Sequence, residues 1–220
     1  MSRLDIHLHS CHLGLFQSTK ILGEFKLTLH QGKIHGLLGR NGAGKSTLMK
    51  LIFGSLKAKA EAYHDGERIH LRNRNRHQLV GYLPQDPFLM RSPKVTDVVQ
   101  MWFPAVEKQD KVLYEPLIHK IHSTRVGQLS VGERRFLEFL LVIYLDKPFL
   151  LLDEPFSMLS PLQIERVHAI LQQQKQHKGI MISDHYYEEI LNAADQSYML
   201  RNGVILPVSN QKEVINFYRS

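Results

Sequence analysis

The stretch Gly39-Arg40-Asn41-Gly42-Ala43-Gly44-Lys45-Ser46-Thr47 limits what this chain can fold into more than any other, because it fits the pattern G-x-x-x-x-G-K-[ST]. It follows an apolar run at 34–38 and opens a helical pattern at 47–53, so strand, loop and helix come in the order the pattern requires. Glycines let the backbone wrap phosphate oxygens, so that several N–H groups and the helix N-terminus face the negative charge. Lys45 then reaches the β- and γ-phosphates of a nucleotide, and Ser46 offers its hydroxyl to Mg²⁺. A glycine-rich turn with a solvated lysine would not need this agreement of strand, loop and helix.

Other short apolar runs, at 24–29, 79–83, 149–152, 179–182 and 196–200, alternate with helical stretches. That alternation predicts an α/β fold: a P-loop NTPase core with a mainly parallel sheet and an antiparallel β portion. Between 86 and 147 the alternation breaks, and 95–103, 111–121 and 131–145 read as helices punctuated by Pro93, Pro104, Pro116 and Pro148. The expectation is one domain over 1–220. Its nucleotide-binding core is 1–85 and 148–220, and an inserted helical subdomain occupies 86–147.

With 220 residues, 43% of them hydrophobic, the chain can bury a substantial core and is too short for two full nucleotide-binding domains. The longest apolar runs, 136–145 and 149–152, are split by Asp146-Lys147-Pro148 and fall short of the roughly 20 residues a bilayer span needs. The first residues alternate like a half-buried strand and lack a charged region followed by an apolar one, so the chain is expected in the cytoplasm. The single cysteine, Cys11, permits no internal disulfide and reads as a small inert residue. Thirteen scattered histidines argue against a metal cluster. A net charge of +7 suits nucleic acid, an anionic membrane face or an anionic nucleotide, and charge alone does not choose among them. Arg72, Arg74 and Arg76 read as a phosphate-binding ribbon or, more simply, as a solvated face of the antiparallel portion.

Residues 149–152 form an apolar run with no polar face, as in a buried parallel strand, and end in Asp153 and Glu154. Such a strand delivers its acids to the carboxyl edge of the sheet, where ligands of α/β folds bind. If the extended backbone persists, the two carboxylates point opposite ways and divide two tasks: Asp153 in the Mg²⁺ shell, Glu154 polarising an attacking water. Leu129-Ser130-Val131-Gly132-Glu133 precedes a long helix, and by itself Ser130 with Glu133 is only a capping box.

In this order, the phosphate loop, Gln85, the LSxGE run, the acidic strand end and His185 resemble the ABC ATPase family over nearly the whole chain. The resemblance implies that Ser130, Gly132, Glu133 and the helix they open bind the γ-phosphate of ATP held by the phosphate loop of a second copy. Two ATP molecules would then join a head-to-tail dimer. It also implies that Gln85 touches Mg²⁺ and nucleotide, and that His185 contacts the γ-phosphate. Phe16 lies where the family places an aromatic against adenine, and a core phenylalanine would read the same way. Two departures stand out. Val131 replaces a glycine of the signature, and Ser160 stands where the loop after the acidic pair normally ends in an aspartate that couples the two ATP sites.

Gly132-Glu133-Arg134-Arg135, Asp153-Glu154-Pro155-Phe156, Pro161 and Ser183-Asp184-His185 are similar to the subgroup of lipopolysaccharide-export and branched-chain amino-acid-import ATPases. Such a subunit works beneath membrane-spanning partners, held peripherally on the inner face of the membrane. A partner helix would dock near residues 86–102, from Asp86 to Trp102, where Phe88, Leu89 and Met90 look exposed; a core role for them fits the sequence equally. A soluble ABC ATPase acting on a nucleic-acid or ribosomal complex lacks support in a chain with one cassette and no coiled coil, so no specific nucleic acid is expected. A hydrolysis-impaired regulatory cassette has only Ser160 in its favour.

Overall fold

The computed structural model describes residues 2–13, 19–70 and 79–208, and beyond them residues 210, 212, 214, 215 and 218. Phe16, Arg72, Arg74 and Arg76 lie outside the described residues. Among the described residues the chain runs β1 (Arg3–Leu13), β2 (Thr19–Leu22), β3 (Phe25–His30), β4 (Ile34–Leu38), α1 (Lys45–Phe53), β5 (Lys59–His64), β6 (Glu67–Ile69), β7 (Val80–Leu83), α2 (Val95–Trp102), α3 (Val106–Leu113), α4 (Pro116–His119), a 3-10 turn at Val126–Gln128, α5 (Val131–Ile143), β8 (Phe149–Asp153), α6 (Pro161–Gln174), β9 (Gly179–Ser183), α7 (Tyr187–Ala193), β10 (Gln196–Arg201) and β11 (Val204–Pro207).

The central sheet has the order β11-β10-β4-β9-β8-β7. Its strands pair in parallel except β11, which folds back antiparallel on β10. In the second, antiparallel sheet, β1 pairs with β2 and β3 and, along its other edge, with β5, to which β6 adds.

The buried strands carry apolar side chains on both faces, and each face supplies one core. Leu150, Leu152, Ile180 and Ile182 pack with α5, α6 and α7, whereas Phe149, Leu151 and Met181 pack with α1 and the antiparallel sheet. This two-sided burial explains the unbroken Phe-Leu-Leu-Leu run of β8, where alternation with polar residues would leave one face wet. Truncating Leu150, fully buried, would cost about 2–5 kcal/mol.

Residues 86–147 contribute α2 to α5, and the bidentate ion pair of Arg166 on α6 with Glu115 (3.0 and 2.7 Å) ties them to the rest of the chain. The single helix expected over 111–121 forms as two pieces, α3 ending at Leu113 and α4 beginning at Pro116. Proline has no N–H for a helical bond and disfavours helical backbone in the preceding residue, and Glu115 is accordingly extended at φ −60°, ψ 122°. Among the described residues no helix is long and apolar enough to cross a membrane.

Candidate active site

β4 is buried along its whole length and delivers the chain to the glycine loop at the carboxyl edge of the central sheet. Gly44, which begins α1, has φ 103°, a left-handed conformation that favours glycine. A Cβ there would also lie 3.1 Å from Leu22 and 3.2 Å from Ile21. The N–H groups of Gly42, Gly44, Lys45, Ser46 and Thr47 have no acceptor among the described residues, so they form a concave donor surface that an anion fits. The Lys45 ammonium is nearly buried and donates to the carbonyls of Gly39 (2.7 Å) and Arg40 (3.3 Å). Burial lowers its pKa, while Glu154, Asp153 and Asp184 act in the opposite sense.

At the end of β8, Asp153 is 1% exposed and accepts hydrogen bonds from Ser183 Oγ (2.7 Å) and the Tyr82 hydroxyl (3.2 Å). The extended geometry expected to persist through Glu154 does not. β8 stops at Asp153, and Glu154 turns into the left-handed region at φ 55°. Two contacts hold this conformation: the Glu154 N–H donates to the Ser183 carbonyl (2.6 Å), and the Glu154 carbonyl accepts from Arg135 (3.1 Å). The turn sets the Glu154 carboxylate 3.8 Å from Nδ1 of His185, which is itself 3.2 Å from the buried Asp184 carboxylate. Asp184 accepts the Phe156 and Tyr186 N–H groups, and burial raises its pKa.

These elements border one open cleft of about 630 Å³. Of the residues singled out from the sequence, Asn41, Gly42, Gly44, Lys45, Ser46, Thr47, Gln85, Glu154 and His185 line it. Ile21 also lines it, as do Ser157 and Met158 of the loop that ends in Ser160, and none of the three reads from the sequence as a site residue. Gly39, Arg40, Ala43 and Asp153 belong to the same strand ends and loop without lining the cleft. Ser130, Gly132 and Glu133 do not line it, although Gly132 abuts Met158, which does.

Ser130 is exposed and begins α5 through a capping box: its hydroxyl accepts from the Glu133 N–H (3.2 Å), and the Glu133 carboxylate accepts from the Ser130 N–H (2.8 Å). A Cβ on Gly132 would lie 2.7 Å from the Met158 carbonyl, so glycine is what allows α5 to start against the loop after β8. Val131 is 55% exposed beside it. Ser160 caps α6 through the same kind of box with Gln163.

Arg135 stood out in the sequence only as part of the Gly132-Glu133-Arg134-Arg135 run, and Glu138 did not stand out at all. Both are buried on α5, whose later residues are apolar all round. The Arg135 guanidinium donates to the carbonyls of Pro84, Asp153 and Glu154, and Glu138 accepts the N–H groups of Phe88 (3.1 Å) and Leu89 (3.4 Å). The pair therefore joins the acidic strand end to the segment following Gln85. Burial pushes the Glu138 carboxyl up, with the two backbone donors and Arg135 working against that rise. Two opposite charges three residues apart inside an apolar helix were the available signal. Along 86–102, Phe88, Leu89 and Trp102 pack partly into the core, with Phe88 and Trp102 ring to ring at 5.5 Å, whereas Met90 and Met101 are 64% and 66% exposed.

Mg²⁺ takes oxygen ligands and rests largely on substrate phosphates and water, with one or two protein oxygens. Ser46 and Glu154 at the cleft wall and the buried Asp153 carboxylate behind it are donors of that kind. Among the described residues no three His, Cys, Asp or Glu side chains gather into a metal cage, and a phosphate-held ion requires none.

A family model described as "ABC transporter" matches residues 22–157. The chain is 30% identical over 214 residues to the "Lipopolysaccharide export system ATP-binding protein LptB" of Haemophilus influenzae, covering 91% of this chain and 89% of that protein. It is also 30% identical to the "Ribose import ATP-binding protein RbsA" of Chromobacterium violaceum, over 86% of this chain and 41% of that longer protein. The fold matches a solved "nucleotide-free ATP-binding cassette from an ABC transporter" with a TM-score of 0.82 at 21% identity, covering 100% of this chain and 96% of that one.

Proposed function

The chain belongs to the ABC transporter family as an ATP-binding and ATP-hydrolysing subunit, and from that premise we propose the roles of its residues and the assembly in which they act. Lys45 and the N–H groups of Gly42, Gly44, Lys45, Ser46 and Thr47, which have no acceptor among the described residues, grip the β- and γ-phosphates of ATP. Ser46, Gln85 and Asp153 hold Mg²⁺, which when bound neutralises charge on the phosphates. Glu154 orients the attacking water and accepts its proton. His185, braced by Asp184, faces the γ-phosphate. The convergence of Lys45, Glu154 and His185 on one cleft carries this reading.

Ser130, Gly132 and Glu133 close over ATP held by a second copy of the chain, and a head-to-tail dimer with two ATP molecules results. Ser130 is exposed, Gly132 and Glu133 are half-buried, and none of the three lines its own chain's cleft, which supports this arrangement. The helical subdomain at 86–147 takes up a membrane-spanning partner near residues 86–102, with Met90 and Met101 as its exposed apolar contacts. The subunit then sits on the cytoplasmic face of the membrane through that partner. The matched relatives are named for lipopolysaccharide export and for ribose import, so the proposal extends to transport and not to a cargo.

ATP binding and turnover of wild type, Lys45→Ala and Glu154→Gln test the site. Lys45→Ala should weaken ATP binding at least about tenfold, and Glu154→Gln should bind ATP normally while losing about 100-fold or more in turnover. Turnover in Glu154→Gln within twofold of wild type would refute the role of Glu154.

A further inference from the structure

The phosphate loop is held from the far end of the chain. The Gly39 N–H donates to the hydroxyl of Tyr218 at 2.8 Å, and that hydroxyl is 3.1 Å from the Gly39 carbonyl, to which it donates in turn. One phenol thus takes both polar groups of the first glycine of the loop. The same carbonyl is where the Lys45 ammonium rests, at 2.7 Å. The Tyr218 ring stacks on Tyr187 at the start of α7, 4.7 Å between centroids and 13° from parallel. The Tyr187 N–H donates to the carbonyl of His185 at 3.0 Å. Tyr218 therefore touches the phosphate loop directly and the His185 segment through one neighbour. Val214, four residues earlier, is fully buried in the main core.

We propose that Tyr218 is a positioning residue of the ATP site, holding the Gly39 peptide in place and keeping its carbonyl satisfied when the Lys45 ammonium turns to the phosphates. The proposal rests on the reading of the cleft as the ATP site. Without the hydroxyl, Gly39 has, among the described residues, no partner for its N–H and only Lys45 for its carbonyl. The Lys45 ammonium has three N–H donors, and each one it turns from that carbonyl to the phosphates then leaves the carbonyl unpaired, so ATP affinity falls while the chemistry at Glu154 and His185 is untouched.

Tyr218→Phe in the full chain keeps the stacked ring and removes only the hydroxyl. The expected result is a KM for ATP raised about tenfold with kcat within about twofold of wild type. The melting temperature without nucleotide should fall by several degrees, about 2–4 °C for each kcal/mol the lost hydrogen bonds cost. Amide hydrogen exchange should become faster at Gly39, which reads the lost bond independently of turnover. An unchanged KM overturns the proposal. So does a joint fall in kcat and melting temperature at constant KM, the mark of a residue that only stabilises the fold. If wild type itself neither binds nor hydrolyses ATP, the reading of the cleft fails and takes this proposal with it. Normal wild-type turnover beside an unaltered variant overturns the role of Tyr218 alone.

Discussion

Glu154 is held where a residue with a side chain is least comfortable. Its left-handed backbone stores strain of order 1–3 kcal/mol, offset by the bonds its peptide groups make to Ser183 and Arg135. Glu154→Gly should therefore leave resistance to urea no lower than that of wild type while hydrolysis collapses; a clear loss of stability would show that the turn is not strained. Arg135 and Glu138 pose the opposite case. Arg135→Met strips three carbonyls of their donor and leaves a buried carboxylate uncompensated, at a cost of about 3–5 kcal/mol. Replacing both partners by apolar residues should cost less than the sum of the two single changes in a urea double-mutant cycle, and strict additivity would break the coupling. At Ser160 an aspartate would cap α6 as well as serine does. Ser160→Asp should thus keep the melting temperature and raise ATP turnover, and unchanged turnover would remove the argument that this serine weakens communication between sites. The residues of the phosphate loop and the acidic strand end were legible because their chemistry fixes type, order and spacing together. Tyr82, Ser183, Arg135 and Tyr218 were not, since each acts through a contact with a distant stretch of chain that no local pattern encodes.

Among the elements, the buried parallel strands β4, β8 and β9 announced themselves as unbroken apolar runs, and their registers place the phosphate loop and the carboxylates at one sheet edge. The antiparallel sheet was much less legible. β5 and β6, Lys-Ala-Glu-Ala-Tyr-His and Glu-Arg-Ile, are short and largely polar, because only one face of that sheet meets the core. The break at Pro116 was visible as a residue and was overridden by the helical periodicity on either side. Where α5 meets the loop after β8, the contact is close enough for one methyl group to matter. Gly132→Ala would put carbon 2.7 Å from the Met158 carbonyl, forcing the helix start and the loop apart. A loss of about 1–3 kcal/mol in equilibrium denaturation is expected, and a neutral result would show that the loop yields freely.

At the scale of the whole molecule, two cores on opposite faces of one sheet bury a histidine as well as aliphatic side chains. His35 is fully buried between His30 and Tyr198, with Nε2 accepting the His30 N–H, and burial lowers its pKa to about 4 from an ordinary 6.5. The unfolded chain takes up a proton below about pH 6.5 and the folded chain only near pH 4, so this residue contributes stability that is lost between the two, about 3 kcal/mol in all. His35→Gln should flatten that acid slope in urea melts from pH 7 to 4, and an unchanged slope would mean that His35 titrates alike in both states. In the same molecule Ser130 and Gly132 do not line their own chain's cleft, and the proposed role for them needs a second copy. The solution mass of Glu154→Gln with ATP and Mg²⁺, set beside the same protein without nucleotide, tests that need most directly. The account predicts a dimer that forms only with ATP and is lost when Ser130 is replaced by a bulky residue; a monomer at saturating ATP would contradict it.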